Sequence, residues 1–525
     1  MSEDLISIKD ASLWASEFLN QEVTSSNISY LVNYGKITKI GENGSTQVSR
    51  TELKEYYQKL SKKEELWKEK LGDDLNWELS FESLKESETT KHVHRLHPYK
   101  GKFIPQLVEY FLDSHVDDFK KEVYFKKGDI ILDPFCGSGT TLVQANELGM
   151  HAIGIDVSIF NTLISNCKIK KYDFKLLERY IGIITKGLDE FDKKNHTSAF
   201  EKELLEELAI FNKEFFPSPE YKAKVQKKLV DGKNYGKEKE LEFLDKYNNL
   251  IKKHKIELLT SGEGNFINKW FIKHVINELE FVANEIEKVE LPEIKEILKI
   301  ILSRTMRSCR ATTHSDLATL KEAVTTTYYC TKHFKICKPS FSILKWWRTY
   351  SKDAIKQFDS VRTQTNQICL TGDSQTIDIV EKLNLVDSNF AKDVVTKKIN
   401  GIFSSPPYVG VIDYHEQHAY AYDLFELERK ESLEIGPLYK GQGKAAQQSY
   451  VEGIVKVLLN SKKYLIDNYD VFLVANDKYN LYQEIATRSG MKIVNQYKRP
   501  VLNRTEKDKN AYAEIIFHLK EQDGE

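Results

Sequence analysis

The stretch from Ile130 to Asp156 limits what this chain can fold into more than any other. Ile130-Ile131-Leu132 is a short apolar run with the length of a buried strand. It enters Asp133-Pro134-Phe135-Cys136-Gly137-Ser138-Gly139-Thr140-Thr141 and then the helical pattern Leu142, Val143, Ala145, Leu148. Gly137 and Gly139 permit a tight turn and a close approach of the backbone to a ligand. The helix that follows turns unpaired N–H groups, and the positive end of its dipole, toward an anionic group. A second strand, Ala152-Ile153-Gly154-Ile155, ends in Asp156. That acid lies roughly 20 residues past the glycine turn, where a nucleotide-fold carboxylate meets ribose hydroxyls. Strand, turn, helix, strand and acid in this order predict an α/β nucleotide-type fold, although the spacing is not the dinucleotide G-x-G-x-x-G.

A second motif lies far downstream. Ile402-Phe403 reads as the end of a buried strand, and Ser405-Pro406-Pro407-Tyr408 as the loop after it. Two prolines stiffen the loop and offer no N–H. The carbonyls of Ser405 and Pro406 are then fixed acceptors beside the flat face of Tyr408, a pocket suited to a planar molecule with an exocyclic amino group. An ordinary Pro-rich turn is the alternative for the tetrapeptide alone.

Together these residues resemble the S-adenosylmethionine-dependent amino-methyltransferases of DNA. The resemblance covers roughly 92–170 and 365–520. It implies a Rossmann-like class I methyltransferase, α/β, with a mostly parallel seven-stranded sheet. In that family Asp133 to Thr141 corresponds to the loop around the cofactor's methionine part, so Asp133, Pro134, Phe135, Gly137, Ser138, Gly139 and Thr140 are expected to bind S-adenosyl-L-methionine. Asp156 is similar to the ribose-binding acid, and Asp373, in Thr371-Gly372-Asp373-Ser374, to the acid that contacts the adenine amino group. His97-Pro98-Tyr99-Lys100-Gly101-Lys102-Phe103-Ile104-Pro105 resembles the segment that closes over the cofactor, which adds Lys102 and Phe103. Ser405, Pro406, Pro407 and Tyr408 resemble the catalytic S/D/N-P-P-Y/F loop. Serine in first place is commonest among enzymes that methylate cytosine N4, so site-specific transfer to cytosine N4 of double-stranded DNA, by base flipping, is the activity implied. Adenine N6 is the alternative within the class. A DNA-binding regulator with an inactive core is the alternative outside it, and the intact glycines, Asp156 and Pro-Pro-Tyr oppose that.

The chemistry needs no covalent nucleophile, and no cysteine flanks the Pro-Pro pair, which argues against cytosine C5 methylation. Cys136 reads as packing. His415 is a candidate base, with a polar wall residue the favoured reading, and Asp413 and Tyr414 are candidate pocket residues. Cys330-x-x-His333-x-x-x-Cys337 is the nearest approach to a metal motif, but a fourth ligand is not apparent. Free cysteines and no metal are expected.

With 525 residues and 41% hydrophobic content the chain is long enough for several domains. No apolar run approaches membrane-spanning length, and the acidic Met1-Ser2-Glu3-Asp4 carries no signal pattern. A cytoplasmic protein without membrane contact is expected. A net charge of −1 does not advertise nucleic-acid binding, so a local stripe must supply it. Arg304, Arg307 and Arg310, spaced by three, are expected to share a helix face toward DNA, with a solvated surface as the alternative. Thr312-Thr313-His314-Ser315 is expected to end that helix with groups suited to phosphate or base edges.

Four regions are expected. Residues 1–90 carry two helical patterns, two short strands around Lys39-Ile40 and Gln47-Val48 flanking Gly41-Glu42-Asn43-Gly44, and a capping-box start at Ser49-Arg50-Thr51-Glu52. This order resembles the excisionase-like and MerR-like winged helix-turn-helix domains. Residues 91–173 form the cofactor part, 174–360 a helical insertion for target recognition, and 361–525 the catalytic part. Within the insertion, Trp270, Phe271, Val275, Ile276, Leu279, Val282 and Ile286 predict one apolar helix face, and 222–255 a solvated arm. A separately encoded restriction endonuclease is a possible companion; no nuclease motif is present in this chain.

Overall fold

The structure, a computed structural model, describes residues 4–522 apart from 21–22, 34–35, 42–45, 83, 259–263, 315–319, 340, 359–361 and 503–509. Glu42, Asn43 and Gly44 of the expected turn, and Ser315, therefore lie outside the described residues. The chain forms two compact units, one of residues 1–73, 195–258 and 310–341, the other of 74–194, 259–309 and 342–525. The 174–360 insertion is thus divided between them.

The larger unit is built on seven strands: β1 (Ile130–Asp133), β2 (His151–Asp156), β3 (Gln367–Thr371), β4 (Ile399–Ser404), β5 (Leu465–Ala475), β6 (Met491–Pro500) and β7 (Ala513–Glu521). Their order across the sheet is β6-β7-β5-β4-β1-β2-β3. The five from β5 to β3 are parallel, and β7 runs antiparallel to both β5 and β6. This is the mostly parallel seven-stranded sheet that the resemblance implies, closed at one edge by the antiparallel strands β7 and β6. Strands buried on both faces read as continuous apolar runs, as Ile130–Leu132, Ile402–Phe403 and Val471–Ala475 do in β1, β4 and β5. Ile130, Leu132, Ile153, Ile155, Ile402, Val471 and Leu473 pack on one side with Tyr450, Ile454 and Leu458 of the helix Lys444–Lys462. Ile131, Ala152, Phe403, Phe472 and Val474 pack on the other with Leu107, Phe111, Leu142 and Ala145. Each fully buried aliphatic or aromatic side chain contributes about 1.5–3 kcal/mol.

The chain leaves β1 toward β2 and β3 on one side, and β4 toward β5 on the other. The carboxyl ends of β1 and β4 therefore flank the point where strand order reverses, which is where open α/β sheets bind ligands.

Two expectations within the helical part need correction. The apolar face from Trp270 to Ile286 belongs to two helices, Phe266–Trp270 and Lys273–Glu287, because Phe271 is extended (φ −127°, ψ 142°). All seven predicted positions are nevertheless buried. The helix Pro292–Ser308 begins with proline at its first turn, as helix starts favour, but Cys309 caps its C-terminus. Arg310 therefore lies beyond it, and the three arginines do not share one helix face. Arg304 is occupied as well, its guanidinium 4.1 Å from the Tyr350 ring centre and 3.4 Å from Asp353.

In the smaller unit, strand Leu5–Ser7 pairs antiparallel with Gln47–Ser49, next to an Ile40–Gln47 bridge. Helices Ile8–Leu19, Ser25–Asn33, Arg50–Ser61 and Lys63–Leu71 complete the N-terminal part, around Ala11, Ala15, Ile28, Leu31, Val48 and Leu53. The capping box closes only halfway. Ser49 Oγ accepts from Glu52 N (3.0 Å), while the Glu52 carboxylate turns to the N–H of Thr38 (2.9 Å). Helices Thr197–Phe215 and Gly232–His254 follow, and the latter buries Phe243, Tyr247 and Leu250. The 222–255 stretch is therefore half packed, not a solvated arm. Among the described residues no helix is long and apolar enough to cross a membrane.

Candidate active site

The loop after β1 is held from behind by the helix Ile159–Ile169. Ser165 Oγ donates to the Gly137 carbonyl (2.9 Å), and the fully buried Lys168 Nζ donates to that of Ser138 (2.5 Å). Gly137 and Gly139 have φ of +52° and +76°, a region costly for any residue with a Cβ. A Cβ at Gly137 would also stand 2.9 Å from the Tyr99 hydroxyl. Gly154 in β2 makes room for Cys136, whose Sγ would lie 2.4 Å from a Cβ there. Cys136 is thus a packing residue, as expected, although part of it faces the cleft described next.

That cleft holds about 780 Å3 of space, its open mouth included. Of the residues expected to bind cofactor, Lys102, Phe103, Pro134, Phe135, Gly137, Ser138, Thr140, Asp156 and Asp373 line it. Ser405 and Pro407 of the downstream loop line it too. Two loops more than 260 residues apart in sequence thus share one cavity.

Asp133, Gly139, Pro406 and Tyr408 are not part of this wall. Asp133 is fully buried, accepting from Ser404 Oγ (2.5 Å) at the end of β4, so it fastens the two loop origins together. Burial pushes its carboxyl up to about 6, against the pull of that hydroxyl. Tyr408 turns the other way. Its hydroxyl donates to Glu514 Oε1 (2.7 Å) on β7, and the residue lines a second recess with Tyr450, Asp477, Tyr479, Tyr482 and Tyr512. One short loop therefore walls two adjoining cavities.

Asp156 ends β2 and accepts from the N–H groups of Gly137 (2.9 Å) and Ser158 (2.8 Å) and from Asn161 Nδ2 (3.1 Å). Burial pushes its carboxyl up to about 7 in spite of these donors. Lys102 donates to the His94 carbonyl (2.8 Å), and burial with Arg95 nearby brings its ammonium down to about 8. Asp373 accepts from the Gln375 N–H (3.0 Å), and neighbouring Ser374 Oγ donates to the Pro134 carbonyl (2.6 Å). Ser405 Oγ donates its one hydrogen to the Val474 carbonyl (3.0 Å), which leaves the oxygen an acceptor only.

Two lining tyrosines come from stretches already singled out, Tyr99 from the segment expected to close over the cofactor and Tyr414 as a candidate pocket residue, whereas Glu434 had no motif to announce it. Tyr99 and Tyr414 stack at 6.1 Å between ring centres, with 19° between planes. Glu434 is buried and accepts from the N–H of His415 (2.9 Å) and from its Nδ1 (2.5 Å), while His415 Nε2 accepts from the Lys430 N–H (3.2 Å). Both imidazole nitrogens are therefore engaged, so His415 is a buried support and not an available base. Asp413 is not among the lining residues.

The cavity fits an adenosyl sulfonium amino acid. Asp156 and Asp373 are acceptors for hydroxyl and amino hydrogens. Phe103, Phe135, Ile155, Val157 and Ile435 give apolar walls. Ser138 Oγ is buried in the loop with no hydrogen-bond partner, and a buried polar atom left in this way calls for a ligand.

Comparison with known proteins agrees. The profile of the N6/N4 methyltransferase family, described as DNA methylase, matches residues 16–166. The Type II methyltransferase M.MjaII of Methanocaldococcus jannaschii is 45% identical over 528 residues, spanning 99% of this chain and 97% of the relative. M.BsoBI of Geobacillus stearothermophilus is 34% identical over 127 residues, 23% of each chain. M.MvaI of Kocuria varians is 30% identical over 114 residues, 22% of this chain and 24% of that protein. With the loops, the sheet order and a relative matching end to end, the chain belongs to the type II DNA amino-methyltransferases, enzymes that take their methyl group from S-adenosylmethionine.

Proposed function

We propose that this chain methylates the N4 amino group of cytosine in double-stranded DNA at a specific site, the base being turned out of the helix. The observation that carries the reading is the shared cavity of the glycine loop and the Ser405-Pro406-Pro407 loop. The bound cofactor supplies an electrophilic methyl group. The remaining work falls to the protein. A cytosine amino group is a poor nucleophile because its lone pair is delocalised into the ring. Acceptors at Ser405, its Oγ and its carbonyl, draw its hydrogens and favour a tetrahedral nitrogen with a localised pair. They are held by proline geometry and by the Val474 bond, so they need no reorganisation at the moment of reaction. Once alkylated, the nitrogen carries a fourth substituent and loses its proton readily. This fits a site in which His415 is already committed to Glu434 and Lys430.

Extruding the base costs a few kcal/mol. The tyrosine-lined recess beside Tyr408 suits the turned-out ring, and stacking there returns about 1–3 kcal/mol. Residues 4–73 keep the helix, helix, bridge, helix order of a winged helix-turn-helix, which supports a DNA-contacting role for this part. The type II naming of the relatives fits a modification enzyme with a separately encoded endonuclease.

The test is transfer of labelled methyl from S-adenosylmethionine to DNA, followed by nucleoside analysis. N4-methylcytosine is expected. N6-methyladenine would replace the target base within the same chemistry. No transfer to any DNA, with cofactor bound, would remove the catalytic assignment.

A further inference from the structure

The smaller unit brings together four residues that sequence spacing does not connect. One ligand atom each from His314, Cys330, His333 and Cys337 lies within 4.8 Å of all the others. His314 is the fourth member missing from the Cys330-x-x-His333-x-x-x-Cys337 tract. Its ring reaches this cluster, although the residue as a whole stays exposed. We propose that these four residues bind one zinc ion, as a closed structural site separate from the methyl-transfer cavity.

The geometry begins with a hairpin. Tyr328–Cys330 pairs antiparallel with Lys335–Cys337, Cys330 opposite Lys335 and Tyr328 opposite Cys337. Alternation along strands puts Tyr328, Cys330 and Cys337 on one face. The other face is docked. Ile336 exchanges two hydrogen bonds with the Asn212 side chain, both 2.9 Å. The Tyr329 ring lies over Gly236, where a Cβ would come within 2.3 Å of it. The ligand face has only a minimal apolar cluster, Tyr328, Cys330 and Cys337 with Val324 against it. A three-residue hairpin of this kind has little to fix its outer face unless something cross-links it.

His333 sits in the hairpin turn with Nδ1 3.6 Å from Cys330 Sγ and 3.5 Å from Cys337 Sγ. Tetrahedral zinc with ordinary Zn–S and Zn–N bonds separates its ligand atoms by about 3.3–3.8 Å, so His333 Nδ1 already stands at coordinating spacing from both sulfurs. The His314 ring centre is 4.6 Å from that of His333. The Tyr328 hydroxyl lies 2.7 Å from His314 Nδ1 and accepts from the His314 backbone N–H (2.9 Å). With Nδ1 engaged there, Nε2 is the nitrogen His314 offers. Orientation of a ligating imidazole through its other nitrogen is the usual outer-shell arrangement.

The donor set selects the metal. Two sulfurs and two imidazoles gathered this closely favour zinc over magnesium, calcium or manganese, which prefer oxygen. Two thiolates neutralise the dication, so the occupied site carries no net charge. Four protein ligands leave no open position, which makes the site structural. The ion would tie the segment carrying His314 to the hairpin.

The experiment uses the full chain, purified in reducing buffer without chelator, with metal content read by plasma mass spectrometry. About one zinc per chain is expected, falling at least about tenfold in Cys330→Ser and His314→Ala, since ligand loss removes most of the affinity. Cobalt(II) added to chelator-stripped wild-type protein gives a reading independent of variant folding. The expected spectrum has the intense visible bands of four-coordinate cobalt and a sulfur-to-metal charge-transfer band, both abolished by added zinc. Three results would overturn the proposal: wild-type protein without zinc and without cobalt bands, zinc content unchanged in both variants, or a Cys330–Cys337 disulfide in an unreduced digest.

Discussion

Tyr408 separates two roles that an aromatic residue in this loop can have. Its hydroxyl is held by Glu514 at 2.7 Å, and the residue forms part of the wall of the tyrosine-rich recess. If the ring receives the extruded base, Tyr408→Ala removes stacking of about 1–3 kcal/mol. That corresponds to roughly 5- to 150-fold in kcat/KM for DNA, at 1.4 kcal/mol per factor of ten. Tyr408→Phe keeps the ring and loses only the bond to Glu514. A hydrogen bond to a carboxylate is worth about 1.5–3 kcal/mol, so this variant should melt earlier but transfer methyl within a few-fold of wild type. The assay is tritium transfer to DNA under single-turnover conditions, with calorimetry on the same preparations and cofactor affinity as the control. Equal losses in both variants would show that the hydroxyl and not the ring face is at work. Wild-type transfer by Tyr408→Ala would refute the stacking role altogether.

Gly154→Ala would place a Cβ 2.4 Å from Cys136 Sγ and 3.0 Å from Leu142. Overpacking of about 1–3 kcal/mol should push the glycine loop and weaken cofactor binding, with partial recovery when Cys136→Ala is added; calorimetric titration reads both, and no recovery would place the strain elsewhere. Asp156 is held up to about 7, and ribose hydroxyls bind best to its ionised form, so cofactor binding should expel a proton below that pH. Affinity should therefore rise as pH climbs from about 6 to about 8, and Asp156→Asn should flatten that rise; an unchanged slope in the variant would assign it to another group. Arg304→Ala gives up stacking on Tyr350, worth about 0.5–2 kcal/mol, and should lower the melting temperature while leaving the salt dependence of DNA binding unchanged. A shallower salt slope would instead make Arg304 a phosphate contact.

What could be read in advance follows a physical division. The β1 loop and the β4 loop are local devices, a strand end with glycines or prolines after it, so their residue types announce them. The strands are apolar runs that show their burial directly. Features set by distant partners were not visible. His314 stands 16 positions before Cys330 with no regular spacing, and only the folded hairpin brings the two together. The Pro292–Ser308 helix stops before Arg310 without a glycine or proline to mark its end. Tyr408 belongs to the recess because β7 brings Glu514 to its hydroxyl. Glu434 lies in a connecting segment with no pattern at all, yet it lines the cavity and orders His415.

The crossover from β2 to β3 departs at Asp156 and returns at Gln367 along the outer edge of the sheet. Neither strand of the central β4–β1 seam has to move when that excursion changes length. The entropy of closing a flexible loop grows only as the logarithm of its length, so a tenfold longer excursion costs about 2 kcal/mol. A sheet of this order can therefore trade insertions of very different sizes at one address while the geometry of its central cleft stays as it was.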